Sequence, residues 1–210
     1  MAPNINNGFI YPLTRFFVGL LKSINLVEYV KNISARLYSV VQKRKLTQEE
    51  IIGAKNFAID CFMVAKWAFV MIAIAYGFNY LWIEFIVWYL IISNLFTYFY
   101  YHVWGSVFVS RDDIDSQRRR YVNFILSLCF YMICYAYLYQ YRYPTEIQWP
   151  DNIVDTTNAL YLSIANAFTL TYGGFNPLSQ TARVLFASEL INTFFFFTII
   201  VSNSVPSRQK

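Results

Sequence analysis

The residues best suited to chemistry lie in one short stretch, 169–177, which reads Thr-Leu-Thr-Tyr-Gly-Gly-Phe-Asn-Pro. The hydroxyl and carbonyl oxygens of Thr169, Thr171 and Tyr172 could coordinate cations, because such oxygens can replace the hydration shell of an ion. Glycine reaches backbone dihedral angles that turn carbonyls in unusual directions. The candidate ion-binding residues are Thr169, Leu170, Thr171, Tyr172, Gly173 and Gly174. The alternative is a buried turn that only packs.

A second group of candidates lies in the apolar run 182–203. Its one carboxylate, Glu189, should face a cavity or a partner rather than lipid. We favour a structural hydrogen bond from Glu189 to the short helix that precedes this run over direct ion binding. Asn192 could face a cavity. The run 194–197 is four phenylalanines, which could close a pore by dewetting or could simply pack. The candidate cavity residues are Glu189, Asn192, Thr193 and Phe196.

Enzymatic chemistry finds little support in the sequence. There is a single histidine, His102, and it forms no metal-ligand pattern with Cys61, Cys129 or Cys134. There is no pair of carboxylates at a shared depth, no nucleophile with a base and no glycine-rich loop that could cradle a phosphate. We therefore expect a protein that is not an enzyme and has no cofactor.

The elements that must position these residues are strongly apolar. Hydrophobic residues make up 57% of the 210-residue chain and charged residues only 14%, whereas soluble domains carry about 25% charge. Four runs are near the roughly 20 residues that cross a bilayer, at 57–77, 81–109, 121–141 and 182–203. Lys66 interrupts the first run, and we interpret it as a snorkelling residue. The composition therefore predicts an integral membrane protein.

The distribution of charged residues predicts the orientation of these four runs in the membrane. The chain has 17 Lys and Arg against 12 Asp and Glu, and the basic residues cluster at the edges of the apolar runs. The amino-terminal region, the loop 111–120 and the carboxyl terminus carry Lys or Arg, whereas the loop 144–157 carries three carboxylates and no basic residue. The positive-inside rule then places both termini in the cytoplasm of a multi-pass cell-membrane protein. This distribution indicates membrane lipids as partners, and no nucleic acid.

Further elements lie outside the four runs. Apolar residues recur at helical spacing over 9–42, which predicts one or two amphipathic helices, with a soluble helical hairpin as the alternative. Thr47 and Glu50 have the spacing of a capping box, which predicts a helix start. Residues 156–169 predict a helix that is too short to cross the bilayer, with Asp155 as its N-cap. Because a glycine-containing turn follows, this helix predicts a re-entrant loop that lines a cavity or a pore.

The stretch 169–177 resembles the filter of potassium channels and their pore-loop relatives, whose pattern is Thr-x-Gly-Tyr-Gly-Asp-x-x-Pro. Four residues match this pattern in register: Thr169, Tyr172, Gly173 and Pro177. Arg183 and Glu189 occupy positions where many bacterial two-helix pore domains carry an Arg and a Glu in the inner helix. The resemblance covers about residues 121–203, in the family's order of outer helix, pore helix, filter and inner helix.

The apolar runs, the amphipathic region and this resemblance together predict an all-α integral membrane protein with four transmembrane helices, a re-entrant pore helix and filter loop, and amphipathic amino-terminal helices. The resemblance implies a homotetramer that conducts monovalent cations, K⁺ or Na⁺, because one loop cannot enclose a pathway. The expected domains are the cytoplasmic or interfacial helices of 1–56, a two-span hairpin and loop over 57–120, and a pore domain over 121–210.

Three positions depart from the family pattern. Thr171 replaces the first filter glycine, Gly174 replaces the acidic residue, and Thr193 lies near the usual hinge glycine. A β-branched residue forced to positive φ costs on the order of 1–3 kcal/mol. Thr171 therefore predicts weak discrimination between K⁺ and Na⁺.

Two alternatives to a channel stay open. The chain could be a non-conducting membrane scaffold or regulatory subunit, which the threonine at 171 would favour. It could also be a membrane effector gated by a soluble partner, an unknown cytoplasmic regulator that docks on the amino-terminal helices. Residues 57–109 contain Lys66 as their only Lys or Arg, so they lack the repeated cations of a voltage sensor. The gating stimulus is therefore not predicted.

Overall fold

The computed structural model describes residues 10–42, 47–100, 114–170 and 173–204. The described residues are mostly α-helical. The chain forms two compact units, residues 1–65 and residues 66–210. The division into the domains 1–56, 57–120 and 121–210 stays a prediction.

Seven α-helices and two short strands account for most of the described residues. In chain order these are α1 (Ile10–Ile24), α2 (Leu26–Gln42), α3 (Gln48–Ala75), α4 (Leu81–Phe99), α5 (Ile114–Tyr137), β1 (Ile147–Gln148), α6 (Thr156–Ala167), β2 (Asn176–Pro177) and α7 (Gln180–Ser204). A π-helical segment, Leu138–Arg142, extends α5. Two short 3₁₀ turns, Pro144–Glu146 and Pro150–Asn152, lie on either side of β1.

In the first unit, the predicted amphipathic region forms the two helices α1 and α2. Asn25 lies between them and is only 4% exposed. Its side chain accepts a hydrogen bond from the Val27 N–H at 3.1 Å, which makes Asn25 the N-cap of α2. The predicted capping box is confirmed at the start of α3. The Thr47 N–H donates to Glu50 Oε2 at 2.9 Å, and the Glu50 N–H donates to Thr47 Oγ1 at 3.3 Å.

Three helices among the described residues are long and apolar enough to cross a membrane: Gln48–Ala75, Leu81–Phe99 and Tyr121–Arg142. They coincide with the first three predicted spans, except that the carboxyl end of the second lies at 101–109, outside the described residues. Helix α7 occupies the predicted fourth span as one helix of 25 residues, but it is not among these three. The length and hydropathy of these three helices indicate a membrane protein.

The predicted tight turn between α3 and α4 is confirmed at Gly77. The Gly77 N–H donates to the Ile74 carbonyl at 3.1 Å, and the Phe78 N–H donates to the Ala73 carbonyl at 2.9 Å. These are the two hydrogen bonds of a Schellman motif. The motif requires a residue in the left-handed region, and Gly77 has a φ of 63°. Glycine adopts this conformation without strain because it has no Cβ.

An ion pair joins the start of α4 to the end of the π-helical segment. The guanidinium of Arg142 donates to Glu84 Oε2 from Nη2 at 2.7 Å and from Nε at 2.8 Å. It also donates to the side-chain oxygen of Asn79, and the Tyr143 hydroxyl donates to Glu84. Burial, together with the hydrogen bond to the Glu84 carboxylate, raises the pKa of Tyr143 to about 12. Its hydroxyl is therefore a donor at physiological pH.

Lys66 is buried, and the prediction that it snorkels is wrong. Lys66 is only 9% exposed. Its Nζ donates to Asn94 Oδ1 at 2.6 Å and lies 4.4 Å from the centre of the Phe130 ring. Asn94 in turn donates to the Ser127 carbonyl at 3.1 Å. An amide oxygen and an aromatic face therefore replace the water that a snorkelling ammonium would reach.

We predict that Asn94→Leu destabilises the protein by about 3–5 kcal/mol, because it leaves the buried Lys66 charge without its acceptor. The double variant Lys66→Met, Asn94→Leu should recover most of this loss, since no uncompensated charge remains. The thermal unfolding midpoint in detergent measures both effects, with Ile92→Leu on an exposed position of α4 as the control. A double variant no more stable than Asn94→Leu would contradict the pairing.

Candidate functional site

The filter-like stretch, residues 169–177, lies near the end of a chain segment that begins after β1 and ends at β2. We call this segment, which contains α6, the excursion. Strands β1 and β2 pair antiparallel, with Ile147 opposite Pro177 and Gln148 opposite Asn176. The Leu178 N–H also donates to the Glu146 carbonyl at 2.9 Å. The chain therefore leaves this point after β1, forms α6, and returns to the same point at β2. The β1–β2 pairing therefore closes the segment that contains α6 and the filter-like stretch.

Helix α6 is the 12-residue element inside this excursion. Its predicted N-cap is confirmed, because Asp155 Oδ1 accepts a hydrogen bond from the Asn158 N–H at 2.6 Å. At 1.5 Å per residue the helix is about 18 Å long, too short to cross a bilayer. Ala159, Leu162 and Ser163 are fully buried. The helix is therefore held on one side by the rest of the second unit.

Helix α6 ends in a second Schellman motif, but its left-handed residue is a threonine. The Thr169 N–H donates to the Asn166 carbonyl at 3.0 Å, and the Leu170 N–H donates to the Ala165 carbonyl at 2.8 Å. Thr169 has a φ of 55°, which a β-branched residue rarely adopts. Its hydroxyl donates to the Phe168 carbonyl at 2.7 Å. The backbone is therefore strained at Thr169, the first residue of the candidate filter.

The structure describes four of the six candidate filter residues. Thr171 and Tyr172 lie outside the described residues, so the expected positive φ of Thr171 stays a prediction. Thr169, Leu170, Gly173 and Gly174 are all exposed. Gly174 has a φ of 89°.

An added Cβ at Gly174 would lie 3.2 Å from Cγ of Pro150, closer than ordinary side-chain contacts. Gly174 is therefore required both by its backbone conformation and by its close approach to the loop before α6.

An aromatic cluster that sequence reasoning missed anchors the return of the chain. Phe175 is 2% exposed and packs edge-to-face on Trp149, with ring centres 5.6 Å apart. The Tyr161 ring of α6 lies 6.0 Å from the Phe175 ring. The Trp149 indole N–H donates to the Pro144 carbonyl at 2.8 Å. The only sign of this cluster in the sequence is a bulky aromatic residue on each side of α6, Trp149 before it and Phe175 after it.

Glu189 of α7 is fully buried and accepts hydrogen bonds from two other elements. Asn166 of α6 donates to Glu189 Oε2 at 2.7 Å, and Ser163 of α6 donates to Oε1. These are the bonds to the short preceding helix that we favoured for Glu189 over ion binding. Tyr139, in the π-helical segment, donates to Oε2 at 2.6 Å. Sequence reasoning missed Tyr139, although π-helical segments are frequent at functional sites.

Tyr139 is one of three tyrosines spaced four residues apart, Tyr131, Tyr135 and Tyr139, which we call the tyrosine row. All three are fully buried. Tyr131 and Thr193 share a hydrogen bond of 2.5 Å. The Tyr135 hydroxyl lies 3.0 Å from the hydroxyl of Ser188. The tyrosine row therefore joins one face of α5 and its π-helical extension to the polar residues of α7.

The remaining candidate cavity residues face α5 within the chain. Asn192 donates to the Tyr135 hydroxyl at 2.7 Å. Thr193 is 3% exposed, and Phe196 is 1% exposed, with its ring stacked 5.1 Å from that of Tyr131. Packing, the alternative left open for the phenylalanine run, is thus what the structure describes for Phe196. The exposed rings are those of Phe194, Phe195 and Phe197.

We predict that Thr169→Gly stabilises the protein by about 1 kcal/mol, because it relieves a positive φ at a cost in chain entropy. Thr169→Ala keeps the strain, loses the hydroxyl bond and should be no more stable than the wild type. The matched control is Gly77→Ala, which should destabilise by about 1 kcal/mol at the equivalent position of the other Schellman motif. Thermal unfolding in detergent measures all three, and a less stable Thr169→Gly variant would contradict the strain.

Comparison with known proteins finds no matching family model, no matching curated protein and no matching solved structure. The features that bear on function are therefore the closed excursion around α6, the contacts of Glu189 and the filter-like stretch itself.

Proposed function

We propose that this chain is a pore-loop channel that conducts monovalent cations as a homotetramer. The observation that carries the proposal is the β1–β2 pairing, which brings both ends of the excursion around α6 to one point. A re-entrant segment keeps non-helical backbone at membrane depth, which is tolerated only inside protein or beside water. The resemblance of residues 169–177 to a potassium-channel filter gives this segment its chemistry.

The proposal includes four membrane spans, with α7 as the fourth. Helix α7 has 25 residues, about 37 Å at 1.5 Å per residue, which is enough to cross a bilayer. Its carboxylate, Glu189, is fully buried and hydrogen-bonded, as expected of an ionisable residue inside the membrane. The distribution of basic residues supports a multi-pass cell-membrane protein with both termini in the cytoplasm.

Electrostatics around α6 favours cations over anions. The carboxyl end of a helix carries partial negative charge, and α6 ends at Ala167 beside the candidate filter. The Glu189 carboxylate lies next to the last turn of α6, since it accepts a hydrogen bond from Asn166 at 2.7 Å. In a tetramer, four such helix ends would surround one axis. Their combined field would attract K⁺ or Na⁺ and repel anions.

The exposed apolar surface of α7 also supports an assembly of four copies. One re-entrant segment cannot enclose a pathway, so cyclic symmetry is needed to close one. The face of α7 opposite the tyrosine row exposes large apolar side chains, among them Val184, Ile191 and Phe194, at 62%, 56% and 68%. These side chains would meet neighbouring subunits, lipid or the axial cavity.

A non-conducting scaffold or regulatory subunit is the second candidate, and Thr169 favours it. The Schellman motif at Thr169 is a complete structural turn, with both of its hydrogen bonds formed. A turn of this kind can simply reverse the chain and pack without coordinating an ion. A membrane effector gated by a soluble regulator would be a channel with an additional partner, and α1 and α2 would be the docking elements.

Reconstitution of the purified chain tests the proposed function. We expect a monodisperse four-fold oligomer in mild detergent and, in vesicles, flux of K⁺ and Na⁺ but not of Cl⁻. Glu189→Leu, which removes the acceptor that holds α6 and the π-helical segment on α7, should lower the thermal unfolding midpoint and the cation flux together, whereas Ile191→Leu on the exposed face should leave both unchanged. A monomer or dimer without flux would refute the channel and support the scaffold.

We predict that the unmodified channel discriminates weakly between K⁺ and Na⁺, and that Thr171→Gly sharpens its preference for K⁺. The reason is that glycine removes the steric constraint on the peptide at 171 and leaves Tyr172 and Gly173 in place. The reversal potential in mixed K⁺ and Na⁺ solutions measures the effect, and Thr181→Gly at the start of α7 is the control. If the unmodified channel already reverses at the K⁺ equilibrium potential, the steric argument is wrong.

A further inference from the structure

A groove in the first unit runs between α2 and the amino-terminal half of α3. Its volume is about 620 Å³. Its lining is almost entirely apolar and includes Val30, Ile33, Leu37, Phe57, Cys61 and Phe62. Its serine, Ser34, already donates its hydroxyl to the Ala54 carbonyl at 3.1 Å. The groove therefore suits a hydrocarbon chain better than a polar ligand.

The α3 wall of the groove belongs to a helix that can cross a membrane. Helix α3 is one of the three long apolar helices, and Cys61, Phe62 and Ala65 of the lining lie well inside its apolar stretch. Phe57, at the other end of that wall, is 69% exposed. The groove thus opens beside the apolar stretch of a helix that is long and apolar enough to cross a membrane. The occupant with direct access to it is a lipid.

Two lysines lie next to residues that line the groove. Lys31 follows the lining residue Val30, and Lys55 precedes the lining residue Ala58 by one helical turn. Burial lowers the pKa of Lys31, Glu28 raises it, and the charges of Lys55 and Lys22 lower it, so the positive charge of both of these lysines acts on Lys31. Glu28 pairs with Lys31 at 3.4 Å, which compensates part of this charge. Two carboxylates also lie near the groove, Glu50 in the adjoining pocket and Asp60 next to Cys61. The positive charge is thus local to Lys31 and Lys55, where it favours an anionic headgroup, because each basic residue near a membrane surface attracts anionic lipid.

We propose that this groove is a binding site for an anionic phospholipid, with one acyl chain between α2 and α3 and the headgroup phosphate near Lys31 and Lys55. The site does not depend on ion conduction and would serve a channel and a scaffold alike. It gives the amino-terminal helices a ligand of defined chemistry. Anionic lipids are concentrated in the cytoplasmic leaflet, the side on which the amino-terminal region is predicted to lie.

Native mass spectrometry of the full-length protein tests the site, with phosphatidylglycerol and phosphatidylcholine as the two probes. We expect phosphatidylglycerol to be retained preferentially. Cys61→Trp fills the groove and should reduce its retention about tenfold, the equivalent of roughly two buried CH₂ groups. Cys129→Trp is the matched control, because Cys129 is also exposed but lies on α5. Lys55→Gln should reduce retention about fivefold.

A second measurement applies even if Cys61→Trp fails to fold. In a Cys129→Ser background, phosphatidylglycerol should slow the modification of Cys61 by a maleimide, and phosphatidylcholine should slow it much less. Equal retention of both lipids, or equal effects of Cys61→Trp and Cys129→Trp, would overturn the proposal. A loss of self-association in Cys61→Trp with lipid retention unchanged would also overturn it, since the groove would then bind a second copy of the chain.

Discussion

The arrangement of α5, α6 and α7 depends on one requirement, the burial of the Glu189 carboxylate. A buried carboxylate is costly unless hydrogen-bond donors replace its lost water. Glu189 is fully buried and draws its donors from two different elements, Asn166 on α6 and Tyr139 on the π-helical segment. Those donors reach it together only if both elements pack on α7 at the same level. One carboxylate thus fixes the relative positions of three elements.

The features that could be predicted from the sequence are those set by neighbouring residues. The capping box at Thr47 and Glu50, the Asp155 cap of α6 and the Gly77 turn each follow from a pattern within four residues. The apolar runs predicted the three helices that are long and apolar enough to cross a membrane for the same reason, since length and hydropathy are local properties. For Glu189 a more general rule was enough. An ionisable residue in an apolar helix needs a partner, and the adjoining short helix was the nearest source of one.

Features that depend on contacts between residues far apart in the sequence could not be predicted from local patterns. Tyr139 and Glu189 are 50 residues apart, and nothing in the spacing of a tyrosine reveals its acceptor. The two-residue strands are too short to show any alternation, so their pairing had no sequence signal. Lys66 was misjudged because a lysine in an apolar run usually reaches water, whereas here Asn94, 28 residues away, supplies a buried acceptor. At the end of α6, the strained backbone of Thr169, where helix termination sets φ, was not predicted, whereas the strain expected at Thr171 stays a prediction because that residue lies outside the described residues.

The buried polar contacts also link the α3–α4 hairpin to the residues around the candidate filter. Within the second unit, the hairpin bonds to α5 through Asn94, which donates to the Ser127 carbonyl, and to the π-helical extension of α5 through Glu84, which pairs with Arg142. The tyrosine row then joins this same helix to α7, and its last member, Tyr139, reaches Glu189 beside α6. Each of these contacts is a hydrogen bond or ion pair between buried or half-buried groups, whose loss would leave a partner unsatisfied at a cost in free energy. A displacement of the hairpin must therefore either break such a contact or carry α5 with it, and a displacement of α5 reaches the Glu189 carboxylate through the Tyr139 hydroxyl. These contacts connect the hairpin to the end of α6 through α5.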